Sequence, residues 1–249
     1  MLPELILREE RADNFFFLLL LGFTSAIAGI YGARILFPSE ADLIAVFFAA
    51  IPLVFPLTQK FLQDEAGEKP HTEEIEIYGS LFVGQVLAFY VATLMLPQFF
   101  DIQINVFEAQ LSQMGITGYA ALGSNFTSIL INNLIVFGFI LSTAALIGSA
   151  GAFILTWNGS VLGVFLGVLT RQLSGLSVIT GSGQIPSPLA YVPHAALEMG
   201  GFIVAGISGS LVAAALYRKH FDRETWADLA KLIVAGIFLV FLGAFVETA

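Results

Sequence analysis

The chain has 249 residues, 57% hydrophobic and only 12% charged. Soluble domains average about 25% charged residues, so a water-soluble fold is excluded. The long continuous apolar runs also exclude the short alternating segments of a β-barrel. With no cysteine there is no disulfide, thiolate metal site or cysteine nucleophile, and a net charge of −9 argues against a nucleic-acid partner. The expectation is an all-α, polytopic transmembrane helix bundle forming one membrane domain over residues 1–249.

Residues 1–14 read as a charged surface lead (Arg8, Glu9, Glu10, Arg11, Asp13) rather than a cleavable signal peptide, because the apolar run that follows is too long for one. The first three spans fall within residues 15–97. The first, Phe15 to Phe37, has Ser25, Gly29 and Ala33 on one face. The second, Ala41 to Leu62, contains Pro52 and Pro56, which predict a kink covered by neighbours. Gln63 to Glu76 is polar enough to be a solvated loop, with His71 an ordinary loop residue. Ile77 to Leu96 is the third span, ended by Pro97.

Residues 98–125 are too polar to span and too apolar for a plain loop, so they read as an interfacial or re-entrant segment. A core follows over 126–217. Ile129 to Ile147 is the fourth span. Gly148 to Gly151 offers a turn into a fifth, Ala152 to Arg171; the alternative is one broken helix and six spans. Gln172 to Ser187 reads as a loop, Leu189 to Tyr217 as the sixth span, and Arg218 to Arg223 as a charged hinge. The last span lies within residues 225–247.

Lys and Arg orient a membrane protein. With seven spans and the N-terminus inside, Arg8, Arg11, Lys60, Lys69, Arg218, Lys219, Arg223 and Lys231 are inside, against Arg34 and Arg171 outside. The C-terminus is then outside. Trp157 and Trp226 both fall near the inner interface, and most phenylalanines face lipid.

The candidate chemistry lies in the later spans. Asn132 and Asn133 are in the fourth, Asn158 in the fifth, and His194 and Glu198 in the sixth, four apart and so on one helical face. A charge at mid-bilayer costs about 2.5–3.5 kcal/mol on insertion scales, so these residues need partners. Each neighbours a strip of small residues, Gly159, Gly163 and Gly167 on one helix and Gly201, Ala205, Gly209 and Ala213 on another, where helices can approach closely. One buried polar cluster of Asn132, Asn133, Asn158, His194 and Glu198 is expected, acting as packing glue or as a proton- or ion-linked site. The order His194, Glu198 is not that of a zinc protease, the glycines at 175, 181 and 183 form no phosphate loop, and Arg171 either meets an anion or snorkels. No catalytic residue, cofactor or metal is expected.

The run INNLIVFGFILSTAALIGSAGAFILTWNGSVLGVFLG (131–167), followed by VPHAALEMGGFIVAGISG (192–209), resembles the stage II sporulation protein M family. Asn132–Asn133, Asn158–Gly159, Pro193–His194 and Glu198 match its pattern; Ala195 stands where the family usually has Gly. The resemblance covers roughly 105–215, and the ILTWN and FEAQ segments look most like the archaeal branch. It implies a membrane anchor: the namesake sits in a complex that remodels the cell wall during spore engulfment, with hydrolase activity in its partners. An archaeal-type chain has no such peptidoglycan target. The expectation is a non-enzymatic membrane scaffold or assembly partner, in contact with the lipid bilayer and with other membrane proteins or its own copies. The alternative is an ion- or proton-linked small-solute transporter or channel using the polar cluster.

Overall fold

A computed structural model of the chain describes residues 14–64, 72–105, 126–148, 151–179, 188–218 and 223–248. Seven long α-helices lie there: α1 (Phe15–Leu36), α2 (Ala41–Asp64), α3 (Thr72–Met95), α4 (Phe126–Ile147), α5 (Gly151–Ile179), α6 (Pro188–Arg218) and α7 (Arg223–Thr248). The charged lead before residue 14, His71, residues 106–125 and the tip of the Gly/Ser/Pro loop at 180–187 lie outside the described residues.

Six helices, α1 and α3 to α7, are long and apolar enough to cross a membrane. The second helix continues through Pro52 and Pro56 to Asp64, but its described apolar stretch, Ala41–Leu57, is shorter than the expected span to Leu62. The fifth segment is a helix of its own, separated from α4 by Gly148, whose φ of 67° admits the sharp turn. It also runs past Arg171 to Ile179, where a loop was expected: a single glycine, Gly175, does not stop it.

The helices sort into two groups. α1, α2, α3 and α5 pack together, as do α4, α6 and α7. α4 and α5 are adjacent in sequence yet pack chiefly into different groups. α6 joins them through α5 and α3. The joint is an apolar cluster of Leu18, Leu81, Leu155, Ile203 and Ile207 from α1, α3, α5 and α6.

Close backbone approach explains the small-residue strips. A Cβ added to Gly163 would lie 2.6 Å from the Val86 carbonyl and 2.7 Å from Phe89 Cβ, and one on Gly167 would lie 2.7 Å from Thr93 Cβ, so this strip seats α5 on α3. Gly159, in the same strip, has room, with its nearest atom at 3.5 Å. On α6 the strip divides: Gly201 meets Gly236 and Val240 of α7, whereas Gly209 meets Leu141 and Ala144 of α4. Ala205, between them, is fully buried beside Phe137, Ile140 and Val240. α1 crosses α3 with Gly22 on Leu81 and Gly84 on Leu19, and its Gly29 meets Ala45 and Ala49 of α2.

The start of the 98–125 segment folds back into the bundle. After a 3-10 turn at Pro97–Phe99, Phe100 is fully buried, edge-on to Phe89 of α3. Phe99 meets Tyr31 of α1 edge-to-face and lies under Arg34 of the same helix.

Glu74 corrects the solvated-loop expectation. It lies inside α3 and is 2% exposed. Its spacing from Tyr78, Leu81 and Gln85 puts all four on the face turned towards α5 and α6. Tyr78 there lies near Ser210 of α6, whose Oγ donates to the Gly206 carbonyl of its own helix at 2.9 Å and lies 3.3 Å from the Gly148 carbonyl.

The glycine contacts predict opposite outcomes within one strip. Gly163→Ala should lose about 1–3 kcal/mol, because the neighbouring atoms are backbone and the helices must part. Gly159→Ala should be neutral or slightly stabilising. Thermal unfolding of the two variants in one detergent checks the contrast.

Candidate functional site

The polar cluster forms between α4, α6 and α7. Asn133 is 8% exposed and donates from Nδ2 to Glu198 Oε1 at 2.5 Å. Glu198 sits on α6 one turn after His194. On the third side is α7. Gly243 presses against Glu198, where an added Cβ would lie 2.5 Å from its Cγ and 3.4 Å from the His194 carbonyl. One turn further along α7, the Glu247 carboxyl comes within interaction range of both Glu198 and His194. The site therefore gathers two carboxyls, an imidazole and an amide near one end of the bundle.

Not every expected member is in it. Asn132 is exposed, and its Nδ2 reaches Asn133 Oδ1 only at 3.5 Å. Adjacent helical residues point about 100° apart, so Asn132 and Asn133 cannot both face α6. Asn158 donates to the Ile154 carbonyl of its own helix at 2.8 Å, satisfying its amide locally rather than at Glu198. Asn133, His194 and Glu198 are brought together; Asn132 and Asn158 are not.

Glu247 and Gly243 were not singled out in the sequence. Glu247 lies near the chain's end, where an acid looks like a solvated terminus. The available signal was Gly243 four residues before it, matching the four-residue spacing of His194 and Glu198.

A second buried polar set also went unread. Asp42, 3% exposed in the first turn of α2, accepts from the backbone N of Leu43 and of Gln103, each at 3.0 Å. Gln103 Nε2 donates to Ser160 Oγ of α5 at 3.3 Å, and Gln85 Nε2 of α3 donates to Thr156 Oγ1 at 3.0 Å. These bonds tie the folded-back segment to α2 and fasten α3 to α5. Among the described residues no group of three or more His, Asp or Glu is placed to hold a metal ion.

The geometry separates true partners from neighbours in sequence. A double-mutant cycle of Asn133→Leu with Glu198→Leu should give a coupling of about 0.5–2 kcal/mol, whereas Asn158→Leu with Glu198→Leu should couple near zero. Unfolding free energies in detergent for the four single and double variants measure both.

Comparison with known proteins agrees with the sequence resemblance and extends it. The chain is similar to Uncharacterized protein MJ0793 of Methanocaldococcus jannaschii, 28% identical over 130 residues, covering 49% of this chain and 68% of that one. No solved structure matches. The model of the family described as Stage II sporulation protein M matches residues 15–249, which takes in the first two helices and the last as well as the core. A match over nearly the whole chain, on a bundle of apolar helices, places this protein in the stage II sporulation protein M family of membrane proteins.

Proposed function

We propose that the protein is a non-enzymatic membrane scaffold, an assembly partner for other membrane proteins, with its N-terminus inside and its C-terminus outside. The observation that carries this reading is how the polar cluster is spent. Asn133 donates to Glu198 where α4 and α6 meet, Glu247 of α7 lies beside that carboxyl, and Gly243 closes on Glu198. Polar groups bonded across packed helices specify an arrangement, at an average of about 0.6 kcal/mol per interhelical bond. Two of these helices are also poorly covered: α4 and α7 bury 22% and 28% of their apolar windows, against 72% for α6. Those faces are available to lipid or to other helices. The orientation rests on the Lys and Arg asymmetry and takes α2 as a crossing helix, in keeping with its packing against α1 through Gly29, Ala45 and Ala49.

A second reading is favoured by one specific contact. The carboxyls of Glu198 and Glu247 come close to each other across α6 and α7, and His194 lies one turn from Glu198. Protonatable groups gathered in a membrane bundle are the usual material of proton-linked transport.

Proteoliposome flux of protons and small ions separates the two. The scaffold reading expects no flux from the wild type or from Glu198→Gln, with the variant less stable in detergent. Flux that vanishes in a monodisperse, folded Glu198→Gln protein would overturn it in favour of transport.

A further inference from the structure

α4 has two faces of different chemistry. Asn133, Phe137, Ile140 and Ala144 are buried against α6 and α7. The opposite face is exposed along its length and is not simply greasy: Ser128, Asn132, Ile135, Phe139, Ser142 and Leu146 lie along it, with Gly138 at its margin. Ser128, Ile135 and Ser142 are seven residues apart, the repeat that keeps one seam facing a partner helix in a left-handed crossing. A Cβ on Gly138 would meet nothing within 4 Å. The same residue types line the buried seams elsewhere, as where Gly209 meets Ala144 and Gly167 meets Thr93. On this face they meet no described helix.

Asn132 says what would cover it. It sits about 9 Å along the helix from Phe126, with Ile131, Ile135 and Phe139 among its exposed neighbours. Among the described residues its amide reaches Asn133 alone, at 3.5 Å, the outer limit of a hydrogen bond. In hydrocarbon such a group draws a partner with both a donor and an acceptor. Another amide offers both. Two copies of this chain inserted in the same orientation, related by a twofold axis along the bilayer normal, bring identical residues to identical depth. Asn132 then meets Asn132, and Ser142 meets Ser142, with no adjustment of register. The face has no charged residue, so like meets like without repulsion.

We infer that the exposed face of α4 is the interface of a parallel homodimer, registered by Asn132 pairing with its copy. This rests on the scaffold reading and names its first partner as a second copy of the chain.

The absence of cysteine makes the test direct. Ser142→Cys is introduced into the full chain and oxidised with copper phenanthroline in the host membrane. Leu20→Cys, on the exposed side of α1, serves as control. The expected result is a disulfide-linked dimer for Ser142→Cys only, with a yield that falls about threefold when Asn132→Leu is added, as the loss of one interhelical amide bond implies. Leucine suits either lipid or a helix interface, so this change spares the fold. Native mass measurement of the wild type in mild detergent, expected to show dimers, gives a readout independent of thiol chemistry. Cross-linking no greater than the control, cross-linking indifferent to Asn132→Leu, or a uniformly monomeric mass would each overturn the inference. The face would then belong to lipid, to residues 106–125 or to another protein. A monomer without flux would leave the scaffold reading standing, and flux lost in Glu198→Gln would overturn that reading whatever the oligomeric state.

Discussion

Helix backbones lie directly on one another in this protein, and the rest of the structure depends on it. Gly22 and Gly84 bring α1 onto α3, Gly163 and Gly167 bring α3 onto α5, and Gly201 and Gly209 set α6 between α7 and α4. In lipid there is little hydrophobic force between helices, so contact at close range and hydrogen bonds across the seam hold them together. Each seam needs its glycine at one height on one face. The side branch α6 makes, with Gly201 to one neighbour and Gly209 to another, is what lets one helix organise α4 and α7 at once.

Polar side chains appear where those close contacts make hydrogen bonds reachable. Near one end, Asn133 of α4 bonds Glu198 of α6, with Glu247 of α7 close by. Within the other group, Gln85 reaches Thr156, and Gln103 links Asp42 to Ser160. Near the Gly148 turn, Tyr78 lies by Ser210, with Glu74 buried nearby. Leu81, Leu155, Ile203 and Ile207 form an apolar layer within the bundle. Three polar regions thus lie around an apolar middle. The exposed face of α4 carries Ser128, Asn132 and Ser142 among Ile135, Phe139 and Leu146, and no described helix lies on it.

Composition alone carried the membrane assignment, because 57% hydrophobic residues in long runs leave a chain no soluble fold. The helices were legible from run lengths. Their ends were less so: Thr72, Ile179 and Arg223 lie beyond the apolar runs, since helical hydrogen bonding continues into water where hydropathy gives no signal. The small-residue strips were legible as surfaces for packing, and their partners were not. Of the five residues expected in the polar cluster, Asn133, His194 and Glu198 meet. Asn132 misses by about 100° of helical rotation, and Asn158 bonds its own helix instead.

What the sequence by itself determined was the solvent, the secondary structure, the family resemblance and the need of Glu198 for a partner. Each follows from local chemistry: a residue's polarity, its spacing along one helix, or the cost of a carboxyl in hydrocarbon. Only the tertiary structure decided which partner it was. Glu247 is 49 residues from Glu198, and nothing in spacing along a chain fixes which faces of two distant helices touch. That choice is made by Gly201 and Gly243, which set how closely and at what height α7 lies on α6. The same contacts turn Asn133 inward and leave Asn132 on the outside.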